Sequence, residues 1–254
     1  FQTKQMWQDF TRALIPPGAK GDAIVRRLSE RLVDLDLVPQ AAELLSHQVE
    51  HRLKGVARAE AAARLALLRL MDGKAQQALD VLRASRHAAV PAELRQARLH
   101  LEARALSELG GVDLALDMLR AEQGPETERL RAEFLWQARR WSEAAEAFER
   151  ALGERWRQAE PLQADERRDL LRAGIAHVLA GDRLRSDRLR GRFLHKMEGT
   201  PDADLFRLVA IEHQARPGDF GEAARRAVSA GTLADFIAAY RKRFAGPAAP
   251  ARSG

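Results

Sequence analysis

Residues 99–119 read LHLEARALSELGGVDLALDML, and their pattern decides the fold class. Leu99, Ala103 and Leu106 recur at the three- and four-residue spacing that places side chains on one face of a helix. Gly110-Gly111 then interrupts the run. Glycine supplies the left-handed residue on which helices commonly end. A second run carries Ala115 and Leu119 one helical turn apart. The stretch therefore predicts a helix, a tight turn and a second helix.

The same unit recurs along the chain. Each copy starts from a small residue in the middle of a first helix and is read 7, 12 and 16 residues onward. Ser29 leads to Asp36, Ala41 and Leu45; Ala66 leads to Gly73, Ala78 and Leu82; Ala103 leads to Gly110, Ala115 and Leu119. Ala132 leads to Arg139, Ala144 and Phe148, and Gly174 leads to Gly181, Ser186 and Arg190. The fifth copy keeps its small residues and turn glycine but lacks the bulky residue. Antiparallel helices joined by a tight turn approach closely where small side chains face each other. That assigns Ala103 and Ala115 to a helix contact, and the bulky residue to the gap between neighbouring pairs. One pair cannot bury its apolar face alone, so the pairs must stack. Leu32, Leu106 and Leu135 follow the small residue by three positions; Arg69 departs from that pattern.

This pattern of small residue, turn, Ala and bulky residue resembles the tetratricopeptide repeat family. Ala103, Gly110, Ala115 and Leu119 carry it best, and Phe148 is the one aromatic at the bulky position. The resemblance covers about residues 22–155 and extends more weakly over 165–197. The units lie 37, 37, 29 and 42 residues apart rather than at a constant period, and Pro91 and Pro125 stand only near the family's closing proline. The array is therefore a divergent one, and a generic helical solenoid or bundle is the alternative. The resemblance implies an all-α fold, a right-handed superhelix of about five stacked antiparallel helix pairs with a C-terminal helical cap. It also implies a concave face built from first helices. Transferred position by position, that face holds Arg26, Glu30, Glu60, His100, Arg104, Arg129, Glu133 and Trp136. An exposed Trp136 flanked by arginines would anchor a peptide, whereas a core Trp136 would pack inside. Both readings stand on sequence alone.

In chain order, Trp7, Phe10 and Leu14 predict an N-terminal helix, and Pro16-Pro17-Gly18 ends it, so 1–18 reads as helix and linker. Repeats occupy 19–198, with Asp22 as the expected first N-cap and Pro39 early in the second helix. Pairs are predicted over 22–36 with 39–54, 56–72 with 74–86, 91–109 with 112–122, 125–139 with 142–153, and 165–180 with 182–197. Helices at 202–214, 219–230 and 232–244, the last capped by Thr232, would form a cap over 199–245. The segment 246–254, GPAAPARSG, reads as a tail.

Composition bounds the chemistry. Aromatic residues make up 6% of the 254, no alternating β-branched run occurs, and Ala and Leu, both strong helix formers, abound. No cysteine is present, which removes disulfides, thiolate metal sites and cysteine nucleophiles while leaving cytoplasm and periplasm both open. No apolar run is long enough to span a bilayer. The start at Phe1 implies a fragment or processed chain, with any leader or membrane anchor lying upstream. The formal net charge is +6, and only six of the 42 basic residues are Lys. A GC-rich genome accounts for that bias; an anionic partner is the sharper alternative.

His47-Gln48-Val49-Glu50-His51 fits the H-x-x-E-H zinc pattern. It sits on the second helix of a repeat without the scaffold a zinc enzyme needs, so no metal, cofactor or catalytic residue is assigned. Gly110-Gly111 is a turn and not a phosphate cradle, and no nucleotide or serine-hydrolase motif occurs. Arg185, Arg188, Arg192 and Lys196 form a basic stripe on one helix, balanced locally only by Asp182 and Asp187 and without interleaved aromatics. The leading expectation is a non-catalytic protein–protein interaction scaffold that takes a protein or extended peptide of acidic character. The alternatives are a docking module of a larger envelope-associated assembly, and nucleic-acid or anionic-surface binding through helix 182–197. The oligomeric state is not legible.

Overall fold

The computed structural model describes residues 15, 16 and 18–211. The expected helix over 1–15, the cap helices beyond 211 with Thr232, and the tail lie outside the described residues. Every regular element among the described residues is helical. In chain order the helices are α1 (Ala19–Asp34), α2 (Val38–His51), α3 (Gly55–Met71), α4 (Ala75–Ala84), α5 (Ala92–Glu108) and α6 (Val112–Met118). They continue as α7 (Pro125–Gln137), α8 (Trp141–Leu152), α9 (Ala164–Leu179), α10 (Arg183–Met197) and α11 (Ala203–Ile211), with a 3-10 turn at Arg155–Arg157 between α8 and α9. The chain divides into two compact units, one ending at Met118 and one beginning at Leu119.

One turn recurs at five places. Asp36, Gly73, Gly110, Arg139 and Gly181 all have positive φ, at 61°, 68°, 86°, 58° and 72°. These are the five positions that the spacing singled out. Around Gly110, the Gly110 N–H donates to Ser107 O at 3.0 Å and the Gly111 N–H to Leu106 O at 2.8 Å. The same two bonds close the turns at Asp36, Gly73, Arg139 and Gly181, each within 2.7–3.0 Å. This is the Schellman arrangement, which satisfies two of the carbonyls a helix end leaves unbonded. Glycine adopts the conformation without strain, Asp tolerates it, and Arg139 takes it against its Cβ.

In the first unit, α1 packs on α2, α2 on α3, α3 on α4 and α5, α4 on α5, and α5 on α6. The small residues sit at these contacts: Ser29 is 3% exposed, and Ala41, Ala66, Ala78, Ala103 and Ala115 are fully buried. Leu45 and Leu82 fill the gaps between them. On α5 the deepest leucine is Leu101, while Leu99 and Leu106 are only half-buried, so the buried face lies to one side of the one the spacing suggested. Asp22 is not an N-cap. The helix starts three residues earlier, after Gly18, and the Asp22 carboxylate instead accepts from Gln48 Nε2 at 3.1 Å and faces Arg52 at 3.5 Å.

In the second unit, α7 packs on α8, α8 on α9, α9 on α10 and α11, and α10 on α11. Ala132, Ala144, Phe134 and Phe148 are fully buried there. Arg190 at the fifth bulky position is not in the core; Leu189 and Phe193 beside it are. Gly174 is required by packing, since a Cβ there would lie 2.9 Å from Val209 Cγ1 on α11.

Candidate functional site

The first-helix residues expected on an open face fall into two groups. In the first unit, Arg26 and Glu30 are exposed and face each other at 4.0 Å. Glu60 is half-buried and accepts from Arg64 at 2.6 Å. Both are i,i+4 pairs, so each cation has its counter-charge one turn away. His100 and Arg104 are not on an open face. They are 6% and 2% exposed, on the buried side of α5, and the free surface that the register assumed at these positions is absent. Arg104 Nε lies 3.6 Å from Glu108, whose carboxyl is raised by burial against the lowering effect of Arg104.

In the second unit, Arg129 on α7 reaches two carboxylates of α9. It donates to Asp169 at 2.5 Å and faces Asp165 at 3.3 Å. Asp169 is 2% exposed and Asp165 about half exposed, so the guanidinium bridges the interior and the rim. Burial pushes the Asp169 carboxyl up to about 6; the charges of Arg129 and Arg172 and the Arg129 hydrogen bond pull it down, and buried Glu133 adds to the rise. Burial also opposes the charge on Arg129, but Asp169, Asp165 and Glu133 together hold its pKa above the ordinary value. Asp165, Asp169 and Arg172 were missed in the sequence. Their four- and three-residue spacing on α9 was the available signal.

Trp136 is a core residue and not an exposed anchor. It is 5% exposed and meets Trp141 edge-on at 5.1 Å and Phe148 at 6.1 Å between ring centroids. Trp141 opens α8 directly after the fourth turn, so two tryptophans close the same helix pair.

The basic stripe of α10 keeps Arg188 and Arg192 exposed, but each of its members has a partner within the chain. Arg185 pairs with Glu146 of α8 and, at 3.3 Å, with Asp182. Arg188 reaches Glu149 of α8 at 3.3 Å. Arg192 lies over the Trp156 ring at 5.4 Å, with Arg157 over the same ring at 4.5 Å. Lys196 donates to the carbonyls of Gln158 and Glu160. The counter-charges come from a helix some forty residues upstream, which a local reading of 182–197 misses, and an aromatic does join the stripe. The stripe seals α10 to α8 and to the loop before α9.

Elsewhere arginines bond the open carbonyl ends of preceding helices. Arg58 donates to Val49 O at 3.1 Å near the end of α2. Arg98, 8% exposed, donates to Leu82 O at 2.7 Å and Ser85 Oγ at 3.1 Å at the end of α4, and to Ala59 O at 2.5 Å. Arg131 bonds Leu119 O and, at 2.8 Å, Glu122 O. A guanidinium fork can hold several carbonyls at once where an ammonium is a point donor. Much of the arginine excess is thus structural.

The His47 and His51 rings lie 5.0 Å apart on α2, with His51 3.6 Å from Glu50. Burial, His51 and Arg52 together lower the His47 pKa. Among the described residues no group of three His, Asp or Glu side chains is arranged to hold a metal ion. Compared with protein-family models, curated proteins and solved structures, the chain matches none.

Proposed function

We propose that this chain is a non-catalytic protein–protein interaction scaffold. In this reading about five antiparallel helix pairs stack in a right-handed, tetratricopeptide-like superhelix, and the first-helix face takes an extended peptide or a partner helix. The observation that carries the reading is the fivefold recurrence of one left-handed turn with the same two hydrogen bonds, at the positions the repeat spacing selects. Repetition of one unit builds extended surfaces for macromolecules.

The accessible first-helix residues are Arg26, Glu30 and Glu60 in the first unit and Arg129 and Asp165 in the second, and each sits beside an opposite charge. A partner that carries both signs can exchange ion pairs with such a surface, whereas a wholly acidic one must first displace Glu30, Glu60 and Asp165. The partner proposed here is accordingly a mixed-charge segment. Photo-crosslinking amino acids placed singly at Glu30, Glu60 and Asp165, with second-helix controls at Gln76 and Glu143, test the face in cells that express the protein naturally. The expected result is one discrete crosslinked partner from the first three positions. Crosslinks from the controls alone, or from no position, would overturn the reading.

A further inference from the structure

Arg98 of α5, Arg129 and Arg131 of α7, and Arg185 and Arg188 of α10 bond within the chain, whereas Arg27 and Arg31 of α1 do not among the described residues. Lys20, Ile24, Arg27, Arg31 and Leu35 succeed one another at spacings of four, three, four and four. At about 100° per residue they fall within an arc of about 80° and run for about 22 Å along the helix and its C-cap. All five are exposed, Ile24 at 45% and Leu35 at 59%. Among the described residues, no ion pair or hydrogen bond is made by the side chains of Lys20, Arg27 or Arg31. Arg27 and Arg31 stand one turn apart, a like-charge placement that weakens a helix slightly. The buried residues Gly21, Val25, Ser29 and Leu32 occupy the other side of α1, and the Arg26–Glu30 pair lies on a third side. The stripe is therefore distinct from the first-helix face described above.

We infer that this stripe on α1 is a docking seam for a helix of another polypeptide, one that carries aliphatic residues flanked by Asp or Glu. Three features select that occupant. The three-four spacing of aliphatic and basic residues is the seam along which one helix packs on another. The cations make no ion pair within the described residues, and Glu30 and Asp34 reach only one edge of the stripe, so charge complementarity favours an acidic partner. Residues 1–14 carry two basic residues and one acidic, and residues 212–254 carry seven basic and four acidic, so neither segment has the acidic excess that complements the stripe. A lipid surface fits less well. The stripe is narrow, and the exposed carboxylates of Glu30 and Asp34 flank one edge, where they would repel anionic headgroups.

The test uses the full chain and a labelled three-heptad peptide with Leu at its seam positions and Glu beside them, whose glutamates oppose self-association. Anisotropy is read at low and high salt. The expected result is binding that weakens about ten-fold or more in high salt and by a similar factor in the Arg27→Glu/Arg31→Glu variant. The charge-matched Arg95→Glu/Arg183→Glu variant, altered at two exposed positions elsewhere, binds like wild type. Circular dichroism and a melting curve establish that both variants are folded. Failure to bind, equal binding of a Lys-for-Glu peptide, or equal loss in the control variant overturns the proposal. Association of the protein with phosphatidylserine vesicles in place of the peptide overturns it in favour of a lipid surface.

Discussion

His177 Nε2 lies 2.6 Å from Glu149 Oε1, joining the last turn of α9 to α8, and His177 is fully buried. The carboxylate accepts this bond and faces Arg188 on its other oxygen at 3.3 Å. Burial alone would raise Glu149, but the bond and charge of His177 and the charge of Arg188 hold its pKa below the ordinary value. A carboxyl lowered on folding contributes stability above its unfolded pKa and loses it as pH falls through the folded one. His177→Leu is expected to cost about 2 kcal/mol in urea denaturation at neutral pH. The variant should also lose less stability than wild type below the ordinary carboxyl range. An acid limb identical to that of wild type would remove Glu149 from the account.

Asp169 works with the opposite sign. Its carboxyl is raised from 3.8 to about 6 by burial, so the folded chain holds a proton that the unfolded chain releases. The contribution of Asp169 to stability therefore falls as pH rises from about 4 to about 6 and is constant above that. The ceiling on this change is about 3 kcal/mol, from the span of the shift. Asp169→Asn keeps an oxygen to accept from Arg129 and removes the titration. The variant should be at least as stable as wild type at pH 7.5, and the difference in stability between variant and wild type should change between pH 4 and 6 and be constant above. Carboxyl carbon chemical shifts that give Asp169 an apparent pKa below 4 would contradict this.

The contrast between these carboxylates and the turns explains what the sequence could reveal. The turn at Gly110 is made by bonds spanning three and five residues, so spacing alone located it, and Asp36 and Arg139 with it. The mean positions of helices α1 to α10 follow from the same local logic. Which side of a helix stays open is not local. His100, Arg104 and Trp136 occupy first-helix positions that the register left free, yet neighbouring packing covers all three. The partners of the α10 stripe are non-local in the same way, because Glu146 and Glu149 come from another helix. The α1 stripe, with the same arginine-rich appearance, is separated from it only by the absence of such neighbours among the described residues.

The turns allow a paired test of local backbone strain. At Gly110, φ is 86° and an added Cβ would meet nothing within 4 Å, so the cost of Gly110→Ala is conformational and not steric. It should be about 1 kcal/mol. Arg139 holds φ 58° with a side chain present. Arg139→Gly relieves that strain but loosens the unfolded chain, leaving a gain of roughly 0.5 kcal/mol. Chemical denaturation of both variants checks the pair. A loss of stability in Arg139→Gly as large as that in Gly110→Ala would mean that the arginine side chain contributes contacts that outweigh its backbone.

Arg98 separates the role of charge from that of geometry. Its guanidinium bonds Ala59 O, Leu82 O and Ser85 Oγ at 2.5, 2.7 and 3.1 Å, holding the end of α4 and the first turns of α3 to α5. Arg98→Lys keeps the charge but cannot reproduce the fork, and loses at least two of three buried charge-assisted hydrogen bonds at a cost of about 2–3 kcal/mol. Arg86→Lys is the control: Arg86 meets Glu102 at 3.0 Å but its side chain is 68% exposed. Its replacement should change stability by no more than about 0.5 kcal/mol. Equal effects of the two substitutions in urea denaturation would show that Arg98 acts through its charge, and that helix-end capping does not account for buried arginine in this chain.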